Sequence, residues 1–317
     1  MSPQPVRIGA RGSKLSLAQS RLMQARIAAA LGAGPEDVEL VAPLVVITTT
    51  GDRIQDRRLL EIGGKALFTK EIEEALLEGR IDCAVHSLKD VPAELPPGLV
   101  LAAIPEREDP RDAFLSHIAA SIDGLPQGAR LGTASLRRQA QALHRRPDLD
   151  IVMLRGNVDT RLAKLERGEA DAILLALSGL NRLGLGDLPR SLLDPIEAPP
   201  APGQGALAIE TRVEDMDAPW LTALRHGPTG IAVAAERGAL FALEGSCRTA
   251  IGAYTRLAGQ TLSLIVEALT PDGARRFRRE GSLVLPAEGA EAAARALGLE
   301  LGALVREDGG DALLLKD

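Results

Sequence analysis

The sequence predicts an α/β fold over most of its length, followed by a smaller α+β segment. Short apolar runs of strand character alternate with segments of helical periodicity as far as residue 210, which is typical of an α/β sheet with parallel strands. Two segments rich in proline, glycine or charge, 106–112 and 198–206, interrupt this alternation. From Pro228 onward the order changes to a helix, two strand-like runs with a turn, and a last helix, which indicates an α+β domain.

Length, charge and cysteine content limit the classes of function. The chain has 317 residues and a net charge of −6, from 37 Lys and Arg against 43 Asp and Glu. An acidic chain with few aromatic residues is a poor candidate for nucleic-acid binding. Cys83 and Cys247 lie too far apart to indicate a metal site, and two cysteines are too few for a disulfide framework. No apolar run would span a membrane and no signal-peptide core is evident, so we expect a cytoplasmic protein with no membrane partner.

The N-terminal segment predicts a strand over 6–9, a loop and a helix. Arg11 and Ser13 lie between the strand and the helix N-terminus, which is a natural place for an anion, although a surface charge at Arg11 is the alternative. Ser16 and Gln19 have the spacing of a capping box. The predicted buried face of the helix has apolar residues at spacings of three and four: Leu15, Ala18, Leu22, Ala25 and Ala29.

The next elements continue the alternation. Thr69 is the predicted cap of a helix whose inward face carries Ile72, Ala75 and Leu76. Paired glycines before Lys65 indicate a mobile loop or a phosphate cradle, but the spacing is not that of a P-loop. Further strands are predicted over 44–49, 100–104, 129–133, 150–154 and 170–176.

The segment 81–92 holds the densest polar cluster. It begins as an apolar strand, places His86, Ser87, Lys89 and Asp90 close together, and stops at Pro92. The carboxyl end of a buried strand is where an open α/β sheet carries its chemistry. A strand followed by a solvated turn is the alternative that these residues alone leave open.

Arginines follow several predicted strands. Ser135 is a good N-cap, and Arg137 and Arg138 then occupy the first turn of a helix, where the helix dipole disfavours cations. This conflict predicts a bound anion, with solvated arginines as the alternative. Arg155 and Arg182 follow the next two strands. Because guanidinium groups bind carboxylates and phosphates in a fork geometry, the set predicts a polycarboxylate or polyphosphate ligand.

The two interruptions also predict the domain organisation. We expect a discontinuous first domain of residues 1–105 and 203–224, an inserted second domain of residues 106–202, and a third domain of residues 225–317. The first two are expected to be α/β and the third α+β.

Seven motifs in this order resemble the porphobilinogen deaminase family over nearly the whole chain. Each motif is weak alone, and their joint order is specific. The motifs are Arg11-x-Ser13, Ile62–Phe68, Ala84–Pro92, Gly132–Arg138, Leu154–Arg161, Pro202–Gly205 and Gly245–Arg248. Ala66 departs from the glycine that the family often has in the loop around Lys65.

This resemblance implies a fold, a cofactor and a reaction. The first two domains would be similar to type II periplasmic binding proteins, with the active site in their cleft. A dipyrromethane cofactor would be joined by a thioether to Cys247, and Asp90 would be the catalytic carboxylate. The enzyme, expected to be a monomer, would condense four porphobilinogen molecules and release hydroxymethylbilane in tetrapyrrole and heme biosynthesis. The implied cofactor- and substrate-binding residues are Arg11, Ser13, Gln19, Lys65, Phe68, Ser87, Lys89, Thr133, Ser135, Arg137, Arg138, Arg155, Gly156, Arg161, Arg182 and Gln204.

Two other functions are compatible with parts of the sequence. A two-lobed polycarboxylate-binding module without catalysis would need the arginines but neither Asp90 nor Cys247. A lyase that forms a Schiff base at Lys89 would be trapped there by borohydride. Without the resemblance, Cys247 is more simply a structural thiol, although its neighbour Arg248 would favour the thiolate.

Overall fold

The computed structural model describes residues 4–53, 68–243 and 250–313. The chain divides into two compact units, one of Met1–Glu108 with Ala206–Gly230 and the other of Asp109–Gly205 with Ile231–Asp317. The second unit therefore takes in both the inserted segment and the C-terminal segment, and the predicted division into three domains stays a prediction. No helix in the described part of the chain is long and apolar enough to cross a membrane.

The first unit is built on a mixed five-stranded sheet of order β2-β1-β3-β10-β4. Its strands are β1 (Ile8–Arg11), β2 (Leu44–Ile47), β3 (Cys83–Ser87), β4 (Leu99–Ala103) and β10 (Leu207–Arg212). Its helices are α1 (Lys14–Ala30), α2 (Val38–Val41), α3 (Thr50–Arg53), α4 (Lys70–Leu77) and α8 (Pro219–Thr222).

The prediction of a parallel sheet is correct for only part of this unit. Strand β1 runs parallel to β2 and β3, but β10 runs antiparallel to β3 and β4. Leu207, the first residue of β10, lies opposite Ser87, the last residue of β3. The chain therefore re-enters the sheet at the carboxyl end of β3, so β10 has to run the opposite way.

Helix α1 forms as predicted, but its predicted buried face is wrong. Leu22 on that face is half exposed, whereas Met23 and Ile27 are buried together with several polar residues. The polar residues are accommodated by hydrogen bonds, such as that from the Gln24 amide to the Ala42 carbonyl at 2.8 Å. The capping-box prediction is also wrong, because Ser13 is the N-cap and its hydroxyl accepts from the backbone N–H of Ser16.

The second unit contains two sheets. The first has the order β7-β6-β8-β5-β9 and the second the order β11-β12-β13. The strands are β5 (Asp112–Ser116), β6 (Arg130–Thr133), β7 (Asp150–Met153), β8 (Ala172–Ala176), β9 (Ser191–Leu192), β11 (Ala250–Ala258), β12 (Thr261–Leu269) and β13 (Arg276–Val284). The helices are α5 (Leu136–Arg145), α6 (Val158–Glu166), α7 (Leu177–Arg182), α9 (Gly227–Leu243, which begins in the first unit) and α10 (Ala290–Gly309).

Small residues let α9 and α10 pack closely beside the three-stranded sheet. A Cβ atom added at Gly298 would lie 1.9 Å from the Ala235 carbonyl oxygen, and one at Gly238 would lie 2.4 Å from the Arg295 carbonyl oxygen. Both distances are far below van der Waals contact, so the backbones of the two helices approach at these glycines. Helix α9 ends at Leu243, and β11 starts at Ala250, which packs against Ala140 of α5.

Candidate active site

Strand β3 delivers its polar residues to a pocket in the first unit. The strand ends at Ser87 and continues into a short 3₁₀ turn, Leu88–Asp90, that places the exposed Asp90 at the mouth. We call this the Asp90 pocket, and its lining residues are Arg11, Ser13, Leu15, Ser16, Gln19, Phe68, Thr69, Val85, His86, Ser87 and Asp90. Six of the predicted site residues are brought together here, whereas Lys89, in the same turn, is not among the lining residues.

Hydrogen bonds within the Asp90 pocket fix several of its polar groups. The Ser16 hydroxyl accepts from the backbone N–H of Arg11 at 3.1 Å. The Gln19 side-chain amide and the Ser87 hydroxyl lie 3.0–3.1 Å apart, close enough for the amide to donate to the hydroxyl or to accept from it. The Arg11 guanidinium carbon lies 4.0 Å from the centroid of the Phe68 ring, a cation–π arrangement. The pocket thus contains a guanidinium group whose orientation is stabilised by the Phe68 ring.

A buried ionisable cluster, which the sequence did not reveal, adjoins this pocket through His86, one of the lining residues. His86 Nε2 is 2.9 Å from Glu210 Oε2, and both side chains are almost completely buried. Burial raises the pKa of Glu73, the hydroxyl of Thr69 opposes the rise, and the nearby Glu210 carboxylate adds to it. Glu210 follows the apolar run 206–209, which is a signal of a buried acid, whereas Glu73 lies among other charged residues of α4 and gives no such signal.

In the second unit, two predicted anion-binding arginines share one protein carboxylate. Ser135 is the N-cap of α5, as predicted, and its hydroxyl faces the backbone N–H of Arg138. Arg137 Nη1 lies 2.8 Å from Asp112 Oδ2, and Arg138 Nη2 donates to Asp112 Oδ1 at 2.8 Å. Burial opposes ionisation of Asp112, but the two guanidinium groups prevail and hold its pKa well below the ordinary range. Gln204 donates to the same Oδ1 atom at 2.8 Å.

The remaining predicted arginines follow β7 and β8, which each lie on one side of β6 and run parallel to it. Their ends therefore meet at one edge of the sheet, which we call the carboxyl edge. Arg155 and Gly156 lie just after β7, and Arg161 Nε donates to the Gly156 carbonyl at 2.9 Å. Arg182, after β8, donates to the Gly205 carbonyl at 2.6 Å.

Thr133 is the last residue of β6 and is buried at the same edge. Its hydroxyl accepts from the backbone N–H of Ser135 at 3.1 Å, so it helps to shape the start of α5. Lys65 and Cys247, the other two predicted site residues, lie outside the described residues.

Comparison with known proteins assigns this chain to a family. A profile described as "Porphobilinogen deaminase, dipyromethane cofactor binding domain" matches residues 6–219. A second, "Porphobilinogen deaminase, C-terminal domain", matches residues 231–307. The chain belongs to the porphobilinogen deaminase family. The resemblance drawn from the seven motifs is therefore confirmed.

Relatives in this family match the chain from end to end. Porphobilinogen deaminase of Caulobacter sp. (strain K31) is 76% identical over 100% of both chains. The enzyme of Caulobacter vibrioides (strain NA1000 / CB15N) is 75% identical over 99% of this chain and 98% of its own. Among solved structures, a putative lipoprotein from Ruminococcus gnavus ATCC 29149 covers 72% of this chain and 94% of its own at 12% identity, with a TM-score of 0.40. That distant likeness carries no argument about function.

Membership in the porphobilinogen deaminase family makes the chain an enzyme of tetrapyrrole biosynthesis with a dipyrromethane cofactor. A binding module without catalysis and a lysine Schiff-base lyase are thereby set aside. The donors of the Asp90 pocket and, separately, those of the carboxyl edge each fit carboxylate groups, because guanidinium and hydroxyl groups are the donors that carboxylates accept from. The described residues hold no cluster of His, Cys, Asp and Glu suited to a metal ion.

The described cysteine is a poor attachment point for this cofactor. Cys83 lies inside β3 with no exposed surface, and burial raises the pKa of its thiol. A thioether forms from an accessible thiolate, and a buried neutral thiol supplies neither property. This leaves Cys247 as the candidate for the attachment.

Proposed function

We propose that this chain joins four porphobilinogen molecules head to tail on a dipyrromethane attached to Cys247, and then releases hydroxymethylbilane by hydrolysis. The observation that carries the proposal is the Asp90 pocket, in which one carboxylate and the Arg11 guanidinium occur together. A carboxylate suits the positive charge that develops during the reaction, and a guanidinium suits the carboxylates of the substrate.

When bound, the dipyrromethane supplies the free α-carbon of a pyrrole to which the first substrate is joined. In each condensation the aminomethyl carbon of a porphobilinogen would bond to the free α-carbon of the terminal pyrrole then in place, its nitrogen would depart as ammonia, and the α-hydrogen of that terminal pyrrole would depart as a proton. Positive charge develops on the substrate pyrrole as the C–N bond breaks. The ionised Asp90 carboxylate stabilises this charge at the ring N–H, and one of its oxygens accepts or returns a proton as the amine leaves.

The arginines of both units bind the acetate and propionate groups of the pyrroles. Because the chain as a whole carries a net charge of −6, this attraction has to be local. Arg11, with Ser13 at the N-terminus of α1, serves this purpose in the Asp90 pocket. Arg155, Arg161 and Arg182 serve it at the carboxyl edge.

The position of Cys247 in the chain supports its role as the attachment point. Ala250, three residues after Cys247, packs in one cluster with Leu136 and Ala140 of α5. The same helix carries Arg137 and Arg138 in its first turn. A sulfur tether near this helix would bring the carboxylates of the cofactor toward guanidinium groups.

The turnover of Asp90→Asn tests the catalytic role of Asp90, and the mass of the wild-type protein tests the attachment of the cofactor. We expect turnover to fall by about 10²–10⁴-fold, the range for a lost acid–base or electrostatic group, while the fold persists because Asp90 is exposed. Intact-mass measurement of the wild-type denatured protein should show an adduct of two linked pyrroles on the peptide that contains Cys247. Asp217→Asn, at an exposed position of the same unit outside the pocket, is the control and should keep wild-type turnover.

Two outcomes contradict the proposal. Near wild-type turnover of Asp90→Asn would exclude the catalytic role of Asp90. A purified wild-type chain that carries no pyrrole, and acquires none when incubated with porphobilinogen, would exclude the tether. Action as a monomer in the cytoplasm remains a prediction, and light scattering of the loaded enzyme tests the oligomeric part.

A further inference from the structure

Asp112 is an acidic residue that the reaction described above does not use, and it lies at the centre of a buried cluster. Its carboxylate contacts the guanidinium groups of both Arg137 and Arg138 at 2.8 Å. Asp112 is 2% exposed and each arginine is 5% exposed. Charges removed from water to this extent require partners with fixed geometry, and here one carboxylate serves two cations.

The cluster retains an excess of positive charge. The next buried carboxylate, Glu267, is already engaged by Arg276 at 2.6 Å and by the Gln141 amide at 2.7 Å. In addition, Nε of Arg137 is buried without a hydrogen-bond partner among the described residues. Two guanidinium groups against one carboxylate leave one positive charge, and an unused donor remains beside it. The cluster is therefore suited to a second anion.

Asp112 is held in place by the backbone and by a neighbouring amide. It is the first residue of β5 and lies opposite Ala176, the last residue of β8, so it belongs to the carboxyl edge. The Gln204 amide donates both to Asp112 Oδ1 at 2.8 Å and to the Pro110 carbonyl at 2.6 Å. The carboxylate thus has a fixed position before any ligand arrives.

We propose that Asp112 is a positioning residue, which holds Arg137 and Arg138 together as a preformed site for one carboxylate of the dipyrromethane cofactor. Without the Asp112 carboxylate, two adjacent cations would repel each other. Part of the binding free energy of the ligand would then be consumed in bringing them together. This inference rests on the proposed function, because it assumes that the cofactor is the ligand.

The experiment measures how fast the unloaded protein acquires its cofactor. Unloaded wild type, Asp112→Asn and Asp171→Asn are incubated with porphobilinogen, and the loaded fraction is followed by intact mass. Asp171 is the matched control, because it pairs with Arg130 at 2.9 Å in the same unit but precedes β8, at the opposite edge of the sheet. We expect the loading rate of Asp112→Asn to fall at least about tenfold, the loss given by misplacing a preorganised group, and that of Asp171→Asn to stay within about twofold of wild type.

Asp112→Glu covers the case in which Asp112→Asn does not fold. It keeps the negative charge but moves the carboxylate by one methylene, so we expect a folded protein that loads at an intermediate rate. Asp112→Glu should combine this slowed loading with a kcat and a KM close to those of wild type once it is loaded, because the covalent bond then holds the cofactor and the altered contact does not touch the reacting atoms. Loss of stability alone would not produce this combination.

Equal loading of Asp112→Glu and wild type, or equal slowing in Asp112→Asn and Asp171→Asn, would overturn the inference. Failure of the proposed function is distinguishable, because in that case wild type would also remain without an adduct. If wild type loads and the Asp112 variants load equally well, only the positioning role is wrong.

Discussion

Glu73 is an acidic side chain placed in the interior of the first unit. It is 4% exposed, and one of its carboxylate oxygens has no hydrogen-bond partner among the described residues. Burial raises its pKa, the Thr69 hydroxyl opposes this, Glu210 raises the pKa further and His86 lowers it. Since the folded state holds the proton more tightly than the unfolded chain, the contribution of Glu73 to stability is full at low pH. It is lost as the pH rises through the raised pKa.

Glu73→Gln should therefore stabilise the protein at neutral pH. The amide keeps the shape of the protonated acid without its titration, so the free energy of unfolding of the variant should gain on that of wild type as the pH rises above about 4, the ordinary range for Glu. Urea unfolding at several pH values measures this difference. Glu74→Gln is the control, because Glu74 is half exposed beside Lys70. A difference that is flat with pH for Glu73→Gln would show that this carboxyl is already ionised in the folded state.

At the scale of single residues, the sequence indicated which side chains are charged but not which of them form ion pairs. The misplaced charges at the start of α5 predicted an anion near Arg137 and Arg138, and the structure places the Asp112 carboxylate there. Asp112 itself could not be identified, because it follows a charged segment, 106–111, in which every acidic residue has the same local context. Contacts between residues far apart in the chain depend on strand order, which local patterns do not encode.

Among the elements, the turn from β7 to α6 depends on one glycine. Gly156 has a φ of +125°, and a Cβ atom there would lie 2.7 Å from Cγ2 of Thr160. The Gly156 carbonyl accepts from Arg161, and the Asn157 side chain caps α6 by accepting from the Thr160 backbone N–H. The turn thus combines a backbone that only glycine adopts readily with the anchoring of an arginine.

Gly156→Ala should destabilise the protein and weaken its hold on carboxylates. We expect the free energy of unfolding to fall by about 3 kcal/mol, because the alanine would have a strained φ and a close contact with Thr160. Gly168→Ala is the matched control, because Gly168 has a φ of +70° and open space around its Cβ position, so its cost should be about 1 kcal/mol. Chemical denaturation gives the two costs, and the KM for porphobilinogen should rise in Gly156→Ala alone. Equal costs for the two variants would mean that the backbone relaxes around Thr160.

Helix periodicity predicted elements well where the buried face is apolar. In α4, Ile72, Ala75 and Leu76 are all completely buried, as expected. In α1 the buried face includes Gln19 and Gln24, and hydrogen bonds with distant partners satisfy their buried amide groups. Because these polar residues are buried, the apolar pattern indicated the wrong face. Strands β5 and β11 were missed: the first follows a charged segment, and the second follows the Gly-Ser turn signal at 245–246 but was not recognised as a strand.

At the scale of the whole molecule, the local and global electric fields have opposite signs for an anionic substrate. Under the proposed function, the net charge of −6 would repel porphobilinogen at long range, whereas the arginines of the Asp90 pocket and of the carboxyl edge would attract its carboxylates at short range. Added salt weakens both effects, because the screening length falls from about 10 Å at 0.1 M to about 3 Å at 1 M. The sign of the salt effect therefore reports which field governs binding.

We expect kcat/KM of the loaded enzyme to fall several-fold between 0.1 M and 1 M KCl, mainly through KM, because contacts between guanidinium and carboxylate groups dominate binding. The kcat/KM of Arg155→Gln should be lower than that of wild type at 0.1 M KCl and should fall less steeply with added salt, since one such contact is removed. Arg80→Gln, which alters an exposed pair with Glu78 outside the pocket, should keep the wild-type slope. A rise of kcat/KM with salt would mean that long-range repulsion governs encounter, and the arginines would then act only after the substrate has bound.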